Sequence, residues 1–348
     1  MNENAVGLPR LTVLLGRADD MRAVVYVKLL DAPGDAKELT GSLRGPRCLH
    51  ASTLPTTARL RMLPPVAGTA QGAACEAVLV EPGFWSPELP NRYQLELSGC
   101  TQAGVRWSGS RLIGICRFGH FDGAFRLDGR RYVLRAVEIR SMELLQDHAA
   151  ALTAVRAARA ASAGLWGSLP PPALCDAADA EGVMLAAELP AALQGAAAAD
   201  EVCRLAVHPS VGFLVVDREH AAAVADWRGV CGTKQLGLRV DGQQPPPSGA
   251  AEPALPAGID CLVMELSPRE LPHEAWRKAH GLPVIVRRPL SEVDSATTGP
   301  QGAEADSGSS VLTQRQGCDL LQAAMASWLA AGGTPAWEPA GYVVAASA

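Results

Sequence analysis

The feature that most restricts the fold of this chain is a continuous apolar run at residues 211–216, Val-Gly-Phe-Leu-Val-Val. The run ends abruptly in Asp217, Arg218 and Glu219. Short runs of this kind, rich in β-branched residues, are typical of strands buried on both faces in a parallel sheet. The charged trio then lies at the carboxyl end of the strand, where (β/α) barrels build their active sites. A buried strand that enters an ordinary polar loop has the same pattern, so the run predicts a strand and leaves the role of its charges open.

Strands alternate with helices over residues 128–348, and this alternation implies a parallel sheet with right-handed crossovers. The predicted strands are 132–139, 183–187, 211–216, 236–240, 259–266, 283–286 and 341–345. The predicted helices are 142–163, 173–181, 198–207, 219–227, 273–280 and 312–331. Gly-, Pro- and Ser-rich stretches at 242–257 and 295–310 replace regular connections. We predict a degenerate (β/α)8 TIM-type barrel over 128–348.

The first part of the chain, residues 1–127, has a different pattern. Short apolar or alternating runs at 11–15, 23–30, 58–63, 77–80 and 93–97 are separated by Gly, Pro, Asp and Ser. This spacing predicts a β-sandwich. An Asp-Gly pair within 125–131 then predicts a small hairpin. A length of 348 residues agrees with two domains.

Composition excludes several classes of protein. The net charge is −5 without a basic patch, so nucleic acid is not an expected partner. No apolar run is long enough for a membrane span, and the first residues lack the pattern of a signal peptide. The nine cysteines are scattered singly, which predicts reduced thiols, a cytoplasmic location and neither a metal nor a cofactor.

Five segments, taken in order, resemble the motifs of one enzyme family. They are FWSPELPNRY at 84–93, FGHFDGAFRLDGRRYVLRAV at 118–137, LCDAADAEGVMLAAELP at 174–190, HPSV at 208–211 and LPVIV at 282–286. The family is glycoside hydrolase family 2, the β-galactosidase, β-glucuronidase and β-mannosidase group. The resemblance covers about residues 75–345 and implies that the sandwich at 1–127 is immunoglobulin-like. From the resemblance we also expect the sugar-binding jelly roll that precedes this sandwich in the family to be absent.

The resemblance also assigns active-site positions. Glu219 falls at the acid/base position, and Arg218 replaces the asparagine before it. Arg287 or Arg288 falls where the family has its nucleophilic carboxylate. Retaining glycosidases need two carboxylates about 5–5.5 Å apart, and an arginine repels the cationic transition state. We therefore expect the retaining mechanism to be lost.

Other residues remain candidates for contact with a carbohydrate. Glu188, Asp217 and Glu265 end predicted strands, and with Glu219 they could form an inverting pair, which needs about 6.5–9.5 Å. Ion pairs between these acids and the arginines would instead form a structural network. Trp166, near a strand end, could stack on a sugar.

The full set of candidate substrate-binding residues is Glu188, Asp217, Arg218, Glu265, Arg287, Arg288 and Trp166. A triad of His208, Ser210 and Asp217 is excluded because the His-Pro turn and Asp217 lie at opposite ends of the predicted strand. Surface positions are expected for His148, His220, His273 and His280.

Three interpretations stay open. The first is a catalytically impaired relative of the family that binds carbohydrate or serves as a scaffold. The second is an active glycosidase with Glu219 as general acid and Glu188 or Glu265 as base. The third is an assembly role, in which the sandwich pairs with a further copy of the chain or a protein partner. Carboxylates around an open pocket favour the second, and a mouth filled by arginine ion pairs favours the first.

Overall fold

The computed structural model describes residues 9–30, 36–64, 74–101, 104, 106–247, 255–278, 281–289, 307–333, 335 and 337–345. Most of the predicted low-complexity stretch at 295–310 and the middle of the stretch at 242–257 lie outside these ranges. Within the described ranges, none of the helices combines the length and the apolar character needed to cross a bilayer.

The amino-terminal part forms one curled, sandwich-like antiparallel sheet in the order β1-β2-β5-β4-β3-β6-β7. Its strands are β1 (Leu11–Ala18), β2 (Arg22–Leu29), β3 (Ala36–Arg47), β4 (Thr56–Met62), β5 (Ala74–Val80), β6 (Arg92–Thr101) and β7 (Arg106–Ile113). Strand β4 joins the two layers, because its first part pairs with β3 and its last residues, Arg61 and Met62, pair with β5. Alternate residues of each strand, such as Val25 and Val27, are buried between the layers.

A three-stranded meander follows, made of β8 (Phe118–Phe121), β9 (Ala124–Leu127) and β10 (Arg130–Tyr132). The predicted Asp-Gly turn is confirmed: Asp128 and Gly129 both have positive φ, as a two-residue hairpin requires. The rings of Phe118 and Phe125 lie 5.2 Å and 4.9 Å from the ring of Phe213, inside the barrel. The meander therefore closes the amino-terminal end of the barrel.

Eight parallel strands form a closed barrel, in which the last strand pairs with the first. They are β11 (Leu134–Glu138), β12 (Gly164–Ser168), β13 (Leu185–Glu188), β14 (Val211–Val216), β15 (Gln235–Asp241), β16 (Cys261–Glu265), β17 (Val284–Pro289) and β18 (Gly341–Ala345). All six side chains of β14 are buried, as the continuous apolar run predicts. The parallel sheet predicted from the sequence is confirmed, with β12 as an additional strand.

Five α-helices lie within the described residues: α1 (His148–Ala160), α2 (Pro172–Glu181), α3 (Gly195–Ala206), α4 (Ala221–Cys231) and α5 (Ser307–Ala330). Their buried faces share one apolar cluster with the outward-facing residues of the barrel strands, such as Leu185 and Leu214. The predicted helix at 142–163 is divided, because a 3-10 turn (Met142–Gln146) precedes α1 and the Asp147 carboxylate caps α1 by accepting a hydrogen bond from the Ala150 N–H.

Two sequence expectations are wrong. The predicted helix at 273–280 is only a 3-10 turn, Glu274–Arg277, in the described residues, since Nδ1 of His273 accepts a hydrogen bond from the Ala275 N–H and Lys278 is extended. His220 is 1% exposed instead of lying on the surface. Its Nε2 donates to the Leu193 carbonyl at 2.9 Å, and its ring packs on Trp227. His148 is exposed and His273 is half-buried, whereas His280 lies outside the described residues.

Candidate functional site

The carboxyl ends of the barrel strands carry charged side chains that point into the barrel mouth. Successive strand residues point to opposite faces, so a residue two positions after an inward apolar side chain also points inward. For example, the side chain of Val263 lies inside the barrel two positions before Glu265, and that of Ile285 lies inside it two positions before Arg287. We call Glu138, Glu188, Asp217, Arg239, Glu265 and Arg287 the mouth network.

Arg287 lies between two carboxylates of this network. Its Nη1 donates to Oε2 of Glu265 at 2.5 Å, and its Nη2 donates to Oε1 of Glu138 at 2.6 Å. The side chains of Arg287 and Glu138 are only 15% and 14% exposed. Burial by itself lowers the pKa of Arg287, but the adjacent carboxylates raise it above its usual value. Arg287 therefore stays charged and engages an acid on each side.

Arg239 lies among the other carboxylates of the mouth. Its Nε is 3.2 Å from Oδ1 of Asp217 and 3.7 Å from Oε1 of Glu265, and its Nη2 is 3.4 Å from Oε1 of Glu188. These contacts are longer than those of Arg287. Two guanidinium groups thus connect four carboxylates across the mouth.

Glu265 is the residue that links the two arginines. Burial raises the pKa of its carboxyl above the usual value, although Arg287 and Arg239 act to lower it. Its Oε1 is buried and accepts no hydrogen bond from the described residues. Glu265 is therefore more easily protonated than an ordinary surface glutamate.

Trp166 lies just below the network and holds Glu188. Its indole N–H donates to Oε1 of Glu188 at 2.5 Å, and its side chain is fully buried. The ring packs in the barrel interior, so in this conformation neither face is open to a sugar. Stacking of Trp166 on a sugar stays a prediction, and it would require the ring to leave the barrel interior.

The remaining candidates lie outside the mouth network. Arg218 and Glu219 are exposed on a 3-10 turn, Arg218–His220, that follows β14. Arg288 alternates with Arg287 and so points to the opposite face of β17. The structure brings together Glu188, Asp217, Glu265, Arg287 and Trp166, but leaves Arg218, Glu219 and Arg288 apart from them.

Two residues of the network, Glu138 and Arg239, are absent from the sequence candidates. Both occupy inward positions near the carboxyl ends of predicted strands, and that position was the available signal. Glu138 lies in the predicted strand 132–139, and Arg239 lies in the predicted strand 236–240. A charged residue at an inward-facing position near the carboxyl end of a predicted strand is thus a candidate for the mouth, and both residues meet this criterion.

A second polar cluster lies at the opposite end of the barrel. Oδ2 of Asp179 accepts a hydrogen bond from Nδ1 of His208 at 2.7 Å, and its Oδ1 accepts the N–H and hydroxyl of Ser210 at 3.0 Å and 2.5 Å. The buried Lys234 donates to the His208 carbonyl at 2.5 Å, and burial lowers its pKa.

This cluster fits a structural role better than a chemical one. The Ser210 hydroxyl donates to Asp179 and not to His208, so the three residues do not form the relay of a nucleophilic serine. Asp176, Asp179 and His208 bring carboxylate and imidazole atoms within 4.8 Å of one another, as a cation site would. Both oxygens of Asp179 already accept hydrogen bonds, however, and these bonds tie α2 to the start of β14.

Comparison with solved structures shows what this fold is similar to. A glycosyl hydrolase family 2 member from Bacteroides cellulosilyticus matches with a TM-score of 0.61 and 14% identity, over 96% of this chain and 44% of its own. The β-D-glucuronidase of Dictyoglomus thermophilum matches with a TM-score of 0.59 and 11% identity, over 97% and 61%. The β-glucuronidase of Parabacteroides merdae matches with a TM-score of 0.57 and 13% identity, over 97% and 46%.

These matches define the class of fold. No protein-family description and no curated protein matches the chain by sequence. The chain has a fold like that of glycoside hydrolase family 2, and it spans 44–61% of the length of the three structures described above. At this level of identity the likeness concerns the fold, and function has to be argued from the site.

Proposed function

We propose that the chain is a glycoside-hydrolase-like protein that does not hydrolyse glycosides and acts by binding, at the barrel mouth, a carbohydrate or a protein partner. In finer detail, we propose an immunoglobulin-like sandwich at 1–127 and a helix-flanked TIM-type barrel at 128–348. The observation that carries the proposal is Arg287, which lies at the end of β17 with a carboxylate on each side.

The chemistry of glycoside hydrolysis supports this proposal. Retaining enzymes place a nucleophilic carboxylate beside the anomeric carbon, about 5–5.5 Å from the acid/base carboxyl group. At the end of β17 this chain presents a guanidinium, which disfavours the positive charge of the transition state. Glu138, Glu188, Asp217 and Glu265 all contact an arginine, so none is a free nucleophile.

An active hydrolase is the second candidate, and one observation favours it. Burial shifts the pKa of Glu265 upward, the direction that a general acid needs, and Glu188 or Asp217 would then be the base. Glu219, the acid expected from the resemblance, is exposed on its turn and lies apart from the mouth network. This candidate requires Arg239 to leave the position between these carboxylates.

Hydrolysis assays separate the two candidates. Purified protein is incubated with aryl β-galactoside, β-glucuronide, β-mannoside and β-glucoside, beside Glu219→Gln and Glu265→Gln. We expect no release of the aryl group by any of the three proteins. Turnover by the wild type that falls in Glu265→Gln would establish the second candidate, and turnover that falls in Glu219→Gln would restore the acid/base role of that residue.

Binding assays test the positive part of the proposal. Oligosaccharides that carry the same four sugars are titrated into the wild type and into Asp217→Asn, which keeps the shape of a rim residue that is 21% exposed. Binding that weakens in the variant supports carbohydrate recognition at the mouth. If no oligosaccharide binds, the binding function is assigned to a protein partner.

A further inference from the structure

A cavity of about 310 Å³ lies at the amino-terminal end of the barrel, away from the mouth network. The starts of β11, β12 and β13 form one side, and the extended segment that contains Pro87 and Glu88 forms the other. Small-molecule pockets begin at about this size. The cavity is therefore large enough for a small organic ligand.

Arg159 gives this cavity a positive charge. Its Nη1 donates to the carbonyl oxygens of Pro87, at 2.8 Å, and Glu181. Among the described residues no carboxylate lies within ion-pair distance of its guanidinium, whereas Arg156, one turn earlier on α1, pairs with the Glu181 carboxylate at 2.9 Å. A half-buried guanidinium whose other N–H groups have no acceptor in the described structure suits a planar oxyanion.

The other charged groups of the cavity limit the charge of the ligand. Arg135 already donates to Gln322 at 2.7 Å and lies 3.4 Å from Asp319. Burial, together with the nearby Glu88 carboxylate, raises the pKa of Tyr132, so this hydroxyl stays neutral. Arg159 is thus the guanidinium of the lining without a carboxylate partner in the described residues. Its single positive charge, offset in part by the Glu88 carboxylate, favours a monoanion over a dianion.

The rest of the lining mixes apolar side chains with polar groups such as Ser162. Val133, Ala163 and Met184 line the cavity, and Tyr132 adds an aromatic side chain. These groups suit a short hydrocarbon body attached to the anionic group. We propose that this cavity is a binding site for a small monocarboxylate, whose carboxylate pairs with Arg159. The site is independent of the mouth and goes beyond the function proposed for it.

Calorimetric titration of the full chain tests the site. The probes are acetate, butyrate, 3-hydroxybutyrate and benzoate, each beside its neutral amide, and inorganic phosphate at mildly alkaline pH, where it is mainly the dianion. We expect at least one carboxylate to bind, and its amide to bind about tenfold more weakly or worse, since a charged hydrogen bond is lost. The absence of binding by all four carboxylates, equal binding of acid and amide, or tighter binding of phosphate would overturn the proposal.

Three variants locate the binding. Arg159→Met should weaken the carboxylate about tenfold or more, and Arg156→Met, on the same helix, should bind as the wild type does. Glu88→Gln changes an exposed side chain without threatening the fold, and it should tighten the carboxylate about fivefold and admit phosphate. An unchanged affinity in both Arg159→Met and Glu88→Gln would refute the assignment.

Discussion

The replacement Arg287→Met tests whether the mouth network is held by this arginine. Methionine keeps much of the length of the side chain but removes both charged hydrogen bonds, to Glu265 and to Glu138. These carboxylates are only 26% and 14% exposed, so water replaces the lost partner poorly. The variant should be destabilised because Glu138 then has no ion-pair partner in the described residues, and Glu265 keeps only its longer contact with Arg239.

The magnitude follows from these exposures. Removal of one partner of a buried ion pair costs about 3–5 kcal/mol, and the partial exposure of Glu265 reduces our expectation to about 2–4 kcal/mol at neutral pH. The cost depends on pH through Glu265. Burial raises the pKa of this carboxyl group above its usual value, and Arg287 makes the rise smaller. Without Arg287 that pKa rises further, and each unit corresponds to about 1.4 kcal/mol.

The direction of the pH dependence is fixed by linkage. A carboxyl group with a raised pKa in the folded state binds protons more readily when folded, so acidification stabilises the folded form. The deficit of Arg287→Met should therefore be largest at neutral pH and should shrink as the pH falls through the raised pKa of Glu265. At low pH the stability deficit of the variant then approaches the part that comes from lost packing alone.

Equilibrium urea unfolding, followed by tryptophan fluorescence and circular dichroism at about pH 7.5 and about pH 5, measures this effect. Arg288→Met is the matched control, since its side chain lies on the other face of the same strand, and we expect a change below about 0.5 kcal/mol. The reasoning is refuted if the two variants are equally stable at the higher pH, or if the deficit of Arg287→Met grows on acidification.

Three further predictions concern the rest of the barrel. Asp179→Asn should lose about 2–3 kcal/mol of stability in urea unfolding, since hydrogen bonds to a buried charge are broken, whereas the exposed Asp176→Asn on the same helix should stay near the wild type; equal effects would contradict the structural role of Asp179. As the pH rises from about 7 to about 9.5, the free energy of unfolding of the wild type should increase relative to that of Lys234→Met. The reason is that burial lowers the pKa of Lys234, so the unfolded chain holds this proton more tightly than the folded chain does. A relative increase on acidification would contradict this prediction. Trp166→Phe should cost about 1.5–3 kcal/mol, and much less in a Glu188→Met background, which has no oxygen to accept the indole N–H; additive costs would argue against that bond.

The fold could be predicted where strands are continuously apolar. Strands such as β14 and β16 are buried on both faces, so their sequences differ clearly from those of loops. Strand β12, Gly-Leu-Trp-Gly-Ser, lacks the sequence signature of a strand because its glycines and serine resemble a loop. Gly164 lies against Leu134 and Gly167 lies against Met142, and neither position leaves room for a larger side chain. Strands β3 and β7 were missed because their polar and glycine residues interrupt the alternation.

The site could be predicted only in part, because a sequence does not fix which way a strand faces at its end. The resemblance assigns the nucleophile position to Arg287 or Arg288. In the structure it is Arg287 that lies in the mouth, where it pairs with Glu138 and Glu265. Glu219 follows the strand by three residues, beyond the regular alternation, and a 3-10 turn there leaves it exposed. Arg239 contacts acids from three different strands, and such contacts depend on barrel closure, which local patterns do not report.

The most direct test of the central claim is an attempt to trap a glycosyl-enzyme intermediate. The protein is incubated with activated 2-deoxy-2-fluoro β-glycosides of galactose, glucose, mannose and glucuronic acid, and its intact mass is then measured, beside a retaining glycosidase as positive control. A retaining enzyme forms a covalent ester between the sugar and its nucleophilic carboxylate. With Arg287 paired to Glu138 and Glu265 we expect no increase in mass. A stoichiometric adduct on Glu138, Glu188, Asp217 or Glu265 would contradict the account.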